Sequence, residues 1–231
     1  MNTLQGLGVR GQGPRPRGFT LVELLVTITI IGILASLAWG FVVMARNAAR
    51  DAATKATIAK LNSVVMKRYE SYMTRRMPIR IPPGTSATAA AQTRLNAVVD
   101  LRRMEMPVLA ADITGPPQVS GLPLPSLTTV YRAGPPTNIE ESAQCLYLIV
   151  SKGSPEAMEQ FNASEIGVTT DNKPVFIDGW KMPIRWLRSA PRPTDIQPDA
   201  TSPPFPYVYS AGRDKTFDTT DDITNHSIEQ R

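Results

Sequence analysis

Two groups of carboxylates in this chain are placed where they could do chemistry. Asp214, Asp218, Asp221 and Asp222 crowd into the stretch SAGRDKTFDTTDDI, Ser210 to Ile223. Hard cations such as Ca²⁺ take about six to eight oxygens from carboxylates, carbonyls and water, and a flexible acidic loop can supply them. The spacing does not fit an EF-hand loop, and a solvated acidic turn is the competing reading. The other carboxylate is Glu23, the single charge in FTLVELLVTITIIGILASLAWGFVVMA, Phe19 to Ala45. A carboxylate inside an apolar helix costs about 2.5–3.5 kcal/mol on insertion scales, so it marks a function or a partner.

Nucleophilic catalysis has little to work with. The chain has one histidine, His226, one cysteine and no G-x-S-x-G motif, which argues against an enzyme. Cys145 lies in the apolar run Cys145 to Val150 and is expected to be a buried, inert thiol. With no second cysteine, an intramolecular disulfide is impossible.

The elements that position these groups follow from hydrophobic patterning. Phe19 to Ala45 is long enough to cross a bilayer core of about 30 Å as a helix. The pattern then becomes amphipathic without a break: Ile58, Leu61, Val65, Tyr69 and Tyr72 share one helical face, and no proline intervenes before Pro78. One helix is therefore expected from about Phe19 to Met73. Beyond it, residues 78–138 are proline-rich around one expected helix, Ala89 to Glu105, with Leu95, Val98, Val99 and Leu101 as its apolar side. Ile139 to Lys152 reads as a further helix with Asn138 as N-cap. Pro174 to Trp180 and Met182 to Leu187 read as strands joined at Asp178-Gly179, and Phe205 to Ser210 as a third. Trp180 and Trp186 are expected in the core.

The net charge of +5 suggests a nucleic-acid partner until it is located. Arg10, Arg15 and Arg17 precede the apolar run with no acid among them, and without these three the chain has 22 basic against 20 acidic residues. Most of the excess is thus a topogenic signal for an N-in, C-out membrane segment, and no nucleic-acid partner is expected.

Arg17-Gly18-Phe19-Thr20-Leu21-Val22-Glu23, with Ile30-Ile31-Gly32-Ile33-Leu34-Ala35 after it, resembles the processing site of type IV pilins and type II secretion pseudopilins. The resemblance implies cleavage between Gly18 and Phe19 by a prepilin peptidase and methylation of the new Phe19 amine. It also implies that Glu23 neutralises the Phe19 amine of a neighbouring subunit during assembly. Gly40 stands where pilins often carry a helix-breaking proline. Asp178-x-Trp180-x-x-Pro183 is similar to a strand entry of major pseudopilins, with Lys181 replacing the usual glycine. The C-terminal loop resembles their calcium-binding loop, which implies Asp214 and Asp222 as the main ligands, Asp221 and Asp218 next, and Ser210 through its carbonyl.

The fold expected is α+β and pilin-like: a long N-terminal helix packed on a small antiparallel sheet, with an inserted helical and loop region. Its parts are a leader (1–18), a membrane and assembly helix (19–45), its amphipathic continuation (46–77), a proline-rich insertion (78–138) and a C-terminal globular region (139–231). The function implied is that of a pseudopilin, a structural subunit of a type II secretion-like periplasmic fibre. The alternative is a type IV pilus subunit for adhesion, motility or DNA uptake. The implied partners are the peptidase, copies of itself and other pseudopilins, an inner-membrane assembly platform and the membrane.

Overall fold

The computed structural model describes residues 18–188 and 205–229. The residues before Gly18, expected as a leader and including Arg10, Arg15 and Arg17, lie outside them. The backbone divides into two units, Met1–Arg46 and Asn47–Arg231. In order the helices are α1 (Leu21–Thr74), α2 (Ala87–Glu105), α3 (Ala110–Thr114), α4 (Ser126–Arg132), α5 (Glu141–Gly153) and α6 (Asn225–Glu229). The strands are β1 (Ile166–Val168), β2 (Pro174–Phe176), β3 (Arg185–Leu187), β4 (Tyr207–Ser210) and β5 (Ile223–Thr224). Short 3₁₀ turns at Pro155–Gln160 and Ala163–Glu165 precede β1.

In the first unit, the α1 segment between Glu23 and Arg46 carries no charged side chain on any face, and every described side chain is exposed. Its mean hydropathy reaches 2.4 over a membrane-length window, long and apolar enough to cross a membrane. The hydroxyls of Thr27, Thr29 and Ser36 donate to carbonyls one turn back, which hides their polarity within the helix.

The second unit is organised on the remainder of α1. Ile58, Leu61, Val65, Tyr69 and Tyr72 are buried as their spacing predicts. They join one core with Leu146, Ile149 and Val150 of α5, and with Phe176, Trp186 and Val208 of β2, β3 and β4. Trp180 and Trp186 are both buried, in line with the core role expected of them. β1 and β2 form an antiparallel pair, and β3, β4 and β5 a separate antiparallel sheet with β4 in the middle.

The region 78–138 is more regular than its prolines suggest, since α3 and α4 accompany α2. It also shares the main core, through Ala97, Leu101, Met104 and Leu122. The buried face of α2 differs from the one expected: Ala97, Asp100, Leu101 and Met104 point inward, while Leu95 and Val99 are 57% and 49% exposed. Two acids explain the rotation. The Asp100 carboxylate accepts from the Gln118 and Val119 amides (2.5 and 3.0 Å) and from Arg103 (3.0 Å). The Glu105 carboxylate accepts from the Tyr72 hydroxyl (2.8 Å) and Arg75 (2.7 Å), with Arg68 at 3.5 Å. A buried carboxylate left without these donors would be costly, so satisfying both overrides the apolar count.

Two further expectations are corrected. α5 begins at Glu141, and Asn138 is exposed and does not cap it. The residue before the helix, Glu140, is left-handed (φ 52°), and its carboxylate takes both arms of the Arg185 guanidinium at 2.7 and 2.8 Å. The Gln144 side chain instead organises the entry, accepting from the Thr137 amide (2.9 Å) and donating to the Ile139 carbonyl (2.6 Å). The strands expected at 174–180 and 182–187 are shorter and fall in different sheets, linked by a single bridge between Ile177 and Pro183. The left-handed residue of their connection is Lys181 (φ 69°), not Gly179.

Candidate processing and assembly site

Gly18, Phe19 and Thr20 precede the helix in irregular, exposed backbone. Helix α1 starts at Leu21 because Thr20 and Glu23 form a reciprocal cap. The Glu23 carboxylate accepts from the Thr20 amide (3.0 Å) and hydroxyl (2.9 Å) through Oε2, while the Thr20 hydroxyl oxygen accepts from the Glu23 amide (3.1 Å). This T-x-x-E arrangement is a capping box, a signal already present in the sequence but not used to place the helix start. Among the described residues, Glu23 Oε1 has no hydrogen bond. The Phe19 side chain is 82% exposed.

The turn after β2 is tied to both its neighbours by Asp178, which is 3% exposed. Its Oδ1 accepts from the amides of Trp180 and Met182, both at 2.8 Å. Its Oδ2 accepts from the Ser210 hydroxyl at 2.6 Å, linking the turn to the end of β4. The Gly179 amide donates to Thr54 Oγ1 on α1 (3.0 Å). A side chain at Gly179 would meet the Arg50 carbonyl oxygen at 2.6 Å, so this close approach requires glycine.

The acidic loop runs from Ser210 to β5, and three of its carboxylates, Asp214, Asp221 and Asp222, serve as local backbone caps. Asp221 Oδ2 accepts from the Arg213 and Asp214 amides (2.9 and 3.0 Å), and Oδ1 from the Thr219 hydroxyl (2.7 Å). Asp214 Oδ1 accepts from the Thr216 amide (2.8 Å), and Asp222 Oδ2 from the Asp218 amide (2.9 Å). The Thr219 hydroxyl and the Asp214 amide hold the Asp221 carboxyl below the usual aspartate range. Burial pushes the Asp222 carboxyl up. Phe217 packs edge-on against Tyr209 and lies 3.7 Å beneath the Arg185 guanidinium.

The calcium ligands suggested by resemblance, Asp214, Asp218, Asp221, Asp222 and the Ser210 carbonyl, share one loop, in which the Thr219 hydroxyl lies 2.7 Å from Asp221 Oδ1 and 3.3 Å from Asp222 Oδ1. Among the described residues no three His, Cys, Asp or Glu side chains stand together as a metal site.

Cys145 is fully buried, and burial pushes its thiol well above the ordinary range. That makes it an inert packing residue. Glu165, which carried no expectation, bonds the Thr57 hydroxyl (2.6 Å) and Lys60 (3.0 Å) and so fastens the turn before β1 to α1. Burial alone would raise its pKa, but the Thr57 hydroxyl, the Asn162 amide and Lys60 together hold it below the usual glutamate range.

Residues 14–39 match the protein-family pattern described as the prokaryotic N-terminal methylation motif. No curated protein and no solved structure matches the chain.

Proposed function

We propose that this chain, whose N-terminus carries the methylation hallmark of type IV pilins and pseudopilins, is a pseudopilin precursor. It is cut after Gly18, methylated at Phe19 and assembled as a structural subunit of a type II secretion-like periplasmic fibre. One observation carries the reading. The methylation motif coincides with an exposed, non-helical Gly18–Phe19 junction immediately before a helix apolar enough to span a membrane. The chain's own part in processing is that of a substrate for prepilin peptidase. Its part in assembly is helix packing together with Glu23. That carboxylate enters the apolar bundle with a free oxygen, and a neighbour's Phe19 amine would neutralise it and set the axial register.

The secretion reading is favoured over a surface pilus by the single buried Cys145, which excludes an intramolecular disulfide. The resemblance of the 178–183 and 210–223 segments to major pseudopilins favours it too. Orientation is N-in, C-out in the inner membrane, with the fibre growing from an assembly platform by addition of copies of this chain and other pseudopilins. Calcium is not needed for this reading. A melting curve with and without EDTA tests that ligand: an unchanged Tm removes calcium, and a drop reversed by added Ca²⁺ establishes it.

The Glu23→Ala variant tests the assembly role. It should still be cut after Gly18 and fail to enter fibres, as judged by microscopy and cross-linking of native membranes. Fibres formed at the normal level by this variant would refute the pairing role. Long surface fibres at native expression would favour the pilus over the secretion reading.

A further inference from the structure

The cap at the start of α1 bears on cleavage itself. In a helix, each amide donates to the carbonyl four residues back. If α1 began one residue earlier, the Glu23 amide would bond the Phe19 carbonyl, and two residues earlier the Val22 amide would bond the Gly18 carbonyl. That second bond would tie up the carbonyl a peptidase must attack. Neither bond forms. The first helical bond runs from the Leu24 amide to the Thr20 carbonyl (3.1 Å), because the Thr20 hydroxyl takes the Glu23 amide at 3.1 Å. The Thr20 amide is in turn taken by the Glu23 carboxylate at 3.0 Å, which completes the stop from the other side. Gly18 adds to the effect, since it has no side chain and is disfavoured in a helix interior.

We infer that Thr20 is a positioning residue for processing: its hydroxyl ends the helix so that the Gly18–Phe19 bond is presented to the peptidase in non-helical form. The inference rests on the proposed function and on the methylation motif, which spans this junction independently of the cap geometry. Thr20 acts through the backbone and touches none of the reacting atoms. Its hydroxyl is the essential part, so serine should replace it and the isosteric valine should not. Loss of an N-cap side chain of this kind weakens the helix start at Thr20 by about 1 kcal/mol, so that other starts, including those that take in Gly18, gain about fivefold in relative weight.

The test uses the full-length precursor in phospholipid vesicles with purified prepilin peptidase, and measures by mass spectrometry the rate at which the Phe19 terminus appears. Thr20→Val should be cut more slowly than the unmodified chain, by at least about twofold and at most about fivefold, and Thr20→Ser at a rate indistinguishable from it. Amide exchange on the same samples should show Val22 more protected in Thr20→Val, as a helix extended past the junction requires. Equal cleavage of Thr20→Val and the unmodified chain would overturn the inference, as would a Thr20→Ser variant as slow as Thr20→Val. If the unmodified precursor is not cut after Gly18 at all, the proposed function itself fails.

Discussion

Replacing Asp178 by alanine should unfold the second unit more readily than any surface substitution. The carboxylate is 3% exposed and accepts three short bonds, from the Trp180 and Met182 amides and the Ser210 hydroxyl. Hydrogen bonds to a charged acceptor contribute about 1.5–3 kcal/mol each, and a buried donor left without a partner costs about 1–3 kcal/mol. Such terms are not additive, and the Ser210 hydroxyl can rotate to another acceptor. A loss of about 4 kcal/mol follows from the two stranded amides and the cavity. For a chain of this size each kcal/mol moves Tm by about 2–4 °C, so the drop should be roughly 12 °C. Asp178→Asn keeps an acceptor for both amides and should lose only about 1 kcal/mol. Calorimetry of the full-length protein in detergent reads both variants. A Tm for Asp178→Ala within about 2 °C of the parent would refute the claim that this side chain holds the turn to β4.

Further outcomes are expected elsewhere in the second unit. Lys181→Gly should raise stability by about 1 kcal/mol in a urea titration, because Lys181 sits in the left-handed region (φ 69°) where a side chain costs about 1–2 kcal/mol. Gly179→Ala should destabilise by about 2–3 kcal/mol in the same assay, since the added carbon meets the Arg50 backbone. Glu165 is held below the ordinary glutamate value of 4.5. Its contribution is therefore fully present above that value and lost as pH falls through the folded one. Urea midpoints measured from neutral pH downward should decline in that acidic window, and Glu165→Gln should remove part of the decline.

How far the fold could be read from the residues depended on the kind of interaction involved. The α1 face was legible because Ile58, Leu61, Val65, Tyr69 and Tyr72 recur at helical spacing and bury together. The orientation of α2 was not, because Asp100 and Glu105 set it through partners up to 37 residues away, and periodicity carries no information about such pairs. β1 and β5 have three and two residues, too few to show alternation, and β5 was read as the end of the acidic loop. At the N-terminus Gly18, Phe19 and Glu23 stood out by their types and spacing, and the T-x-x-E cap of Thr20 and Glu23 was present as a pattern, but only the hydrogen bonds that close it fix the helix start. In the C-terminal loop the four aspartates were legible as a cluster, but not the use of Asp214, Asp221 and Asp222 as backbone caps.

The central claim is that this chain is cut after Gly18 and enters a fibre with a modified Phe19. Intact-mass and peptide mass spectrometry of the protein isolated from its own membranes tests it most directly. The account predicts a chain that begins at Phe19 and carries one methyl group on the α-amine. A chain that retains residues before Gly18, or one cut after Ala38, would contradict it.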